Sequence, residues 1–507
     1  MILFVKDKRG DVRWTKTLVI NPLAHLETLY TYSRTALASF IGANLEQFWD
    51  KVQLDDPRFV AVEGWLTSRS NWKQRAVPYL IHGDGASFTT SRESLVAVNL
   101  KCLLSLPFLA GNIIPLFAVV KSACVGPPLF HERTFDKLWD MVVHFLNSGF
   151  DGKHPDVDPE GVDWPADSFE WKHAGKDLCG GSFFMVLWGL PADLEYLGNE
   201  LKMPHHNSVA PCCVCAAGRS TDSPHKITDV SMDASWKGTL VTAADGIAQR
   251  VTTHKVMNIK GASRFHAPGD LQHTGHLGTD QYFLGSVLDE LIEDGPFRDG
   301  SRETRKNRVW GLILAEYRRQ GTSNRLGNLT LGMVKRGDDF PCLSAKASET
   351  AHLLKVILSI CRGHHDGSER DEHRLRALVH IVRFYKIVQC ADVVMTSSQA
   401  DEVKEAVEWH LLHYNWLHHN AVKHNVRRYV LQFKHHHLWH IACDCKFLNP
   451  RFHWCYPFED FMGILITSAR NSFAGSPMAI VGKKVLENWC LVNELSLRYS
   501  IDSNVAL

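Results

Sequence analysis

Four apolar runs between residues 77 and 188, each closed by residues that break regular structure, set the pattern of the first half of the chain. Val77-Pro78-Tyr79-Leu80-Ile81 runs into His82-Gly83-Asp84-Gly85, residues 95–104 and 113–120 follow, and Ser182-Phe183-Phe184-Met185-Val186-Leu187-Trp188 stops at Gly189-Leu190-Pro191-Ala192-Asp193. Continuous apolar runs of this length, bounded by Gly, Pro and Asn, read as strands buried on both faces. Between the third and fourth, residues 134–147 place Phe135, Leu138, Trp139, Val142 and Phe145 on one helical face. Three strands, a helix and a fourth strand predict a mixed sheet, with an antiparallel meander first and a helical crossover before the last strand. The helical period also marks residues 23–40, 281–292, 347–361, 372–394, 401–433 and 478–497. The expected class is mixed α/β, divided as an N-terminal helical segment (1–75), a core built on the sheet (76–365) and an α-helical C-terminal domain (366–507).

Composition narrows the class without naming a function. The 507 residues carry 56 Lys and Arg against 55 Asp and Glu, a net charge of +1, so there is no chain-wide attraction to nucleic acid or anionic lipid. Thirteen Cys, an odd number, fit a reducing, intracellular setting better than a disulfide framework. Residues 102–120 are uncharged, but Pro107, Gly111 and Pro115 divide them into two strands rather than a membrane helix. Locally the charge is uneven. Residues 151–170 hold seven acids against one Lys, a solvated loop. Residues 302–336 hold nine basic residues, Arg302, Arg305, Lys306, Arg308, Arg318, Arg319, Arg325, Lys335 and Arg336, against Glu303 and Glu316. Arg250, Lys255, Lys260 and Arg264 add to them. Such a stretch suits a phosphate backbone; its plain alternative is a solvated helix face.

Three groups of residues have the types that carry chemistry. Asp84 and Asp193 both stand at strand ends, and Glu349 opens a helix. Three carboxylates at one sheet edge make a hard-oxygen site for two Mg²⁺ or Mn²⁺ ions and in-line phosphoryl transfer, whereas a single Asp at a strand end is ordinarily a turn or cap residue. Cys212 and Cys215 form a CxxC, and His273 and His276 an HxxH. Together they have the donors of a closed tetrahedral Zn²⁺ site, with His205, His206 and His225 as alternative nitrogen ligands. Fourteen of the 28 His fall between His352 and His440. These read as polar helix surface or satisfied core imidazoles without a catalytic role. His436 and His440, four apart with Cys443 and Cys445 close behind, are the pair in that group with the spacing of a second metal site.

The order Asp84, Asp193, CxxC, Asp270-Leu271-Gln272-His273 and Glu349 resembles the DDE transposases of CACTA type, which have an RNase H-like fold, and transposase-derived sequences repeated in dinoflagellate genomes. The tail is similar too. His437-Leu438-Trp439-His440, then Trp454-Cys455-Tyr456-Pro457-Phe458-Glu459-Asp460-Phe461-Met462-Gly463, then Arg470-Asn471 are similar to the H-L-x-H, W-x-Y-P-F-E-R-x-M-G and R-N segments of that family, with Asp460 where the family has Arg. The resemblance spans about residues 77–480. It implies an RNase H-like core with a zinc-binding insertion and a nuclear enzyme that cleaves DNA and transfers strands as a homo-oligomer, with no membrane association. It makes Asp84, Asp193 and Glu349 the metal-binding acids, with Asp270 the alternative second acid. A domesticated, catalytically inactive DNA- or chromatin-binding protein that keeps the zinc site is the second expectation. A zinc hydrolase built on the histidines is the third.

Overall fold

The computed structural model describes residues 2–6, 11–42, 44–105, 112–125, 133–335 and 337–505. Its strands are β1 (Ile2–Lys6), β2 (Val12–Lys16), β3 (Ala76–Ser87), β4 (Ser94–Cys102), β5 (Ile113–Val120) and β6 (Phe184–Gly189). The longer helices are α1 (Arg133–Asp151), α2 (Asp280–Glu293), α3 (Arg302–Gln320), α4 (Ala347–Gly363), α5 (Glu369–Cys390), α6 (Ser397–Lys423), α7 (Phe433–Asp444), α8 (Tyr456–Phe473) and α9 (Met478–Val505). The fold is mixed α/β, and the chain divides into two interleaved compact units. The first comprises Met1–His205, Thr242–Pro268 and Cys455–Leu507, the second His206–Val241 and Gly269–Trp454.

In the first unit β1 and β2 form a hairpin, and the other strands form one sheet in the order β5-β4-β3-β6. β3, β4 and β5 are antiparallel neighbours, and β6 returns parallel to β3 after the crossover through α1. Every residue of β5 and β6 is buried, as runs without polar alternation require when both faces are covered. On one face Trp139 of α1 meets Phe117 edge-on at 5.9 Å. On the other, Phe458 of α8 stacks on His82 at 4.5 Å, and Met462 Sδ accepts from Asn99 Nδ2 at 3.7 Å. α9 lies so close to β5 that a Cβ on Gly482 would sit 2.0 Å from the Ala118 carbonyl oxygen.

β3 does not stop before Asp84. It pairs with β4 as far as Ser87↔Ser94, and Asp84 sits within it opposite Ala97. The apolar run that ends at Ile81 is only the doubly covered half of the strand. The helical stretch 23–40 is two helices, Pro22–Tyr32 and Arg34–Ile41, divided at Ser33, whose hydroxyl caps the second. Among the described residues no helix is long and apolar enough to cross a membrane.

The second unit is helical around α2, whose Phe283, Leu284, Val287, Leu288 and Leu291 are buried. The same helix carries Asp289, Glu290 and Glu293, with Asp294 at its C-cap, into a network of ion pairs. Arg428 Nε reaches Asp289 Oδ2 at 2.7 Å, Arg374 Nη1 reaches Glu290 Oε2 at 3.1 Å, and Arg370 Nη1 reaches Asp294 Oδ2 at 3.3 Å. The predicted helix 401–433 ends at Lys423 instead. Asn425 and Tyr429 adopt left-handed backbone, both with φ of 53°, and α7 restarts at Phe433.

Candidate metal centre and carboxylate site

Cys212 and Cys215 lie in a loop of the second unit that has little regular structure and is pinned by hydrogen bonds. Val241 N donates to Val214 O and Ala216 N to Thr239 Oγ1, both at 2.9 Å. Trp236, 1 % exposed, packs edge-on against Trp439 at 5.0 Å and His436 at 4.2 Å and so ties the loop to α7. His436 and His440 stand one turn apart on that helix and face the two sulfurs.

The four donor atoms lie within 4.8 Å of one another. Cys215 Sγ is 3.4 Å from His436 Nε2 and 3.6 Å from His440 Nε2, Cys212 Sγ is 3.5 Å from His440 Nε2, and the two imidazole nitrogens are 2.9 Å apart. Four donors at Zn–S and Zn–N bond lengths around a tetrahedral ion stand about 3.6 Å apart for S to N and about 3.3 Å for N to N. The sulfur–nitrogen separations match; the imidazoles would part by a few tenths of an ångström. Both cysteines and His436 are buried, and His440 is half-buried. The Cys215 thiol donating to Cys212, with the imidazoles of His436, His437 and His440, holds the Cys212 thiol well below its usual range. Burial pulls His436 down to about 4. Thiolate and neutral imidazole are the forms that bind a metal. Four protein donors are the number that fills a tetrahedral metal ion.

The cysteines therefore meet His436 and His440, not His273 and His276. Gln272–Thr279 is a π-helix that runs into α2, and it turns His276 inward, where the ring stacks on Tyr385 of α5 at 4.6 Å. His273 binds back to Asp270, whose Oδ2 accepts its backbone N–H at 2.7 Å and lies 2.8 Å from its Nδ1. Of the alternatives, His225 Nδ1 bonds Ser235 Oγ at 3.0 Å, His205 pairs with Glu195 at 3.6 Å, and the His206 carbonyl accepts from Arg219 at 2.7 Å. The sequence signal for these partners is the spacing of four that puts His436 and His440 on one helical face.

The acids divide between the units. In the first, Asp84 Oδ1 accepts from Gly85 N and Asp193 Oδ1 from Tyr196 N, both at 2.6 Å, the second bond capping the short helix Leu194–Asn199. Tyr196 lies against the strand just before Asp84, since a Cβ on Gly83 would come within 2.0 Å of its Cζ. Burial first, then the carboxylates of Glu200, Asp84 and Asp193, raise its hydroxyl far above the ordinary tyrosine range. Asp84 and Asp193 thus flank one side chain. In the second unit, Glu349 is the third residue of α4, and its Oε2 accepts from Lys346 N at 2.9 Å in a capping box. Within either unit, no three carboxylates of the described residues converge within 4.8 Å.

Four cations of the basic stretch are paired with acids, two with acids that precede it in sequence and two with acids inside it. Arg302 pairs with Asp289 and Glu293, Arg305 with Glu293, Lys306 with Glu303 and Arg319 with Glu316. Arg308 and Arg325 bond backbone carbonyls, of Asp299 and Thr322, and Arg318 is exposed. Lys335 is half-buried, and Arg336 lies outside the described residues.

In sequence comparisons, no protein-family model and no curated protein matches the chain.

Proposed function

We propose that the chain is a DNA transposase, or a protein derived from one, with an RNase H-like first unit and a second unit inserted between β6 and α8 and clipped by Zn²⁺. One observation carries this reading. The sheet order β5-β4-β3-β6, with β6 parallel to β3, puts Asp84 in the central strand and Asp193 just past its parallel neighbour, and both carboxylates act on Tyr196. Both are hard oxygen donors, the chemistry that Mg²⁺ or Mn²⁺ takes. When bound, two such ions stabilise the attacking and leaving oxygens of an in-line displacement at phosphorus.

In this reading Glu459 is taken as the third acid of the first unit. His82 and Asp84, two apart in β3, share a sheet face. Phe458 of α8 stacks on that His82, and Glu459 follows it, half-buried, in the first helical turn. Glu349, by contrast, is occupied as a helix cap in the second unit. The zinc ligands in this reading are Cys212, Cys215, His436 and His440, a closed set that argues against the histidine-based hydrolase.

The catalytically inactive, DNA- or chromatin-binding alternative is favoured by one observation, that Asp84 and Asp193 each already accept a backbone N–H. Cleavage of terminal-inverted-repeat DNA in Mg²⁺ or Mn²⁺ separates the two. A transposase cuts, and loses cutting in Asp84→Ala and Glu459→Ala; equal cleavage by wild type and Asp84→Ala overturns the assignment. Salt-sensitive DNA binding without divalent metal, and no cleavage by any variant, selects the inactive alternative.

A further inference from the structure

The seam between α5 and α6 holds histidines that neither the Cys/His cluster nor the carboxylates use. His373 and His380 stand two turns apart on α5, and His413 meets them from α6. His413 Nδ1 lies 3.0 Å from His373 Nδ1, much as His436 and His440 in the Cys/His cluster bring their nitrogens to 2.9 Å. Neighbouring rings fix the imidazoles. His373 stacks on Trp416 at 4.0 Å and within 5° of parallel, while His413 and His380 stack on Trp409 at 5.9 and 6.0 Å. His413 is 3 % exposed. His380 Nδ1 is buried with no hydrogen-bond partner, and its ring lies 5.9 Å from that of His413, although the three imidazoles do not bring a nitrogen each within 4.8 Å of one another.

A neutral imidazole carries one N–H and one lone pair. Two Nδ1 atoms at this distance form a hydrogen bond when one of them holds the proton; with both protons on Nε2, two lone pairs face each other and call for a cation. Lone pairs that converge from two helices at nearly the N-to-N separation of a tetrahedral ion, about 3.3 Å, suit a late first-row divalent ion, the class that takes imidazole. The cations that act on these rings, Arg376 and Arg383, are paired with Glu372 and with Glu402 and Glu405, which weakens the field an arriving ion meets. We propose that His373 and His413 form a second metal site, for Ni²⁺, Cu²⁺ or Zn²⁺, that staples α5 to α6, with water and, on rotation of its ring, His380 as further ligands. The site does not depend on whether the chain cuts DNA.

The test is Ni²⁺ binding to the full chain after loading with Zn²⁺, by calorimetry at neutral pH, for wild type, His373→Phe, His413→Phe and His380→Phe, alongside thermal melts. Phe keeps a ring in the stack and removes the nitrogens. Wild type takes up one Ni²⁺ more than His373→Phe or His413→Phe, and holds it about 100-fold more tightly than one imidazole does, since the second ligand binds intramolecularly. Ni²⁺ raises the melting temperature of wild type and leaves those two variants where they were. His373 is half-buried, so its variant carries the test should His413→Phe melt early. His380→Phe keeps the ion with lower affinity; unchanged affinity there removes His380 from the shell. Equal Ni²⁺ uptake by wild type and His373→Phe overturns the site and leaves a plain hydrogen bond between His373 and His413.

Discussion

Removing one zinc ligand tests the metal centre, because the sequence and the structure name different histidines. In Cys212→Ser or His440→Ala three donors remain, the closed tetrahedron opens, and the bound zinc falls from one per chain toward zero. His273→Ala and His276→Ala leave it at one. The energetic effect follows from linkage. At free zinc a thousandfold above the dissociation constant, binding contributes about 4 kcal/mol to the stability of the folded unit. For a unit of roughly 220 residues, each kcal/mol is worth about 2–4 °C, so chelation lowers the melting temperature of the second unit by about 8–16 °C. Elemental analysis of purified protein gives the stoichiometry, and calorimetric melts with and without chelator give the shift. Full zinc in both Cys212→Ser and His440→Ala, or its loss in His273→Ala in their place, refutes the geometry.

The elements were legible where the signal is local, and the partners were not. The breaker-bounded runs at 77–81, 113–120 and 182–188 and the amphipathic 134–147 correspond to β3, β5, β6 and α1, because burial on both faces writes itself into consecutive residues. The second half of β3 escaped because its burial alternates from Asp84 onward, and glycine on both sides of that residue imitates a turn. The break between α6 and α7 escaped because Tyr429, a large aromatic in left-handed backbone, carries no turn signature and is held by burial, 1 % exposed. CxxC and both histidine pairs were visible, but which pair faces the thiols depends on a π-helix that aims His276 at Tyr385, a tertiary outcome.

Arg428→Ala removes the 2.7 Å partner of Asp289, which keeps Arg302 at 3.2 Å, so the expected cost is that of a charged hydrogen bond, about 1.5–3 kcal/mol in urea unfolding, with under about 0.5 kcal/mol refuting a structural role for the network. Burial, against a smaller opposing effect of the 2.6 Å hydrogen bond from Tyr385, raises Asp280 to about 7. Between about pH 4 and 7 the native chain then keeps a proton that the unfolded chain has released. Stability falls as pH rises, by up to about 1.4 kcal/mol per unit, and Asp280→Asn flattens that slope; equal slopes in the two proteins refute it. The last prediction concerns charge. A count along residues 302–336 overstates the field there, because the acids of α2 lie outside that window in sequence and against it in space. Eight cations on phosphates would give a slope of log K against log salt near −7 for duplex DNA, at about −0.9 per contact. With Arg302, Arg305, Lys306 and Arg319 committed to carboxylates, Arg308, Arg318, Arg325 and Lys335 remain, and the slope expected from this face is about −3.6. Anisotropy of labelled duplex across a KCl series measures it, with Arg318→Ala reducing the slope by about 0.9. A slope near −7 would mean the ion pairs open to bind DNA, and a slope unmoved by Arg318→Ala would place the DNA on another face.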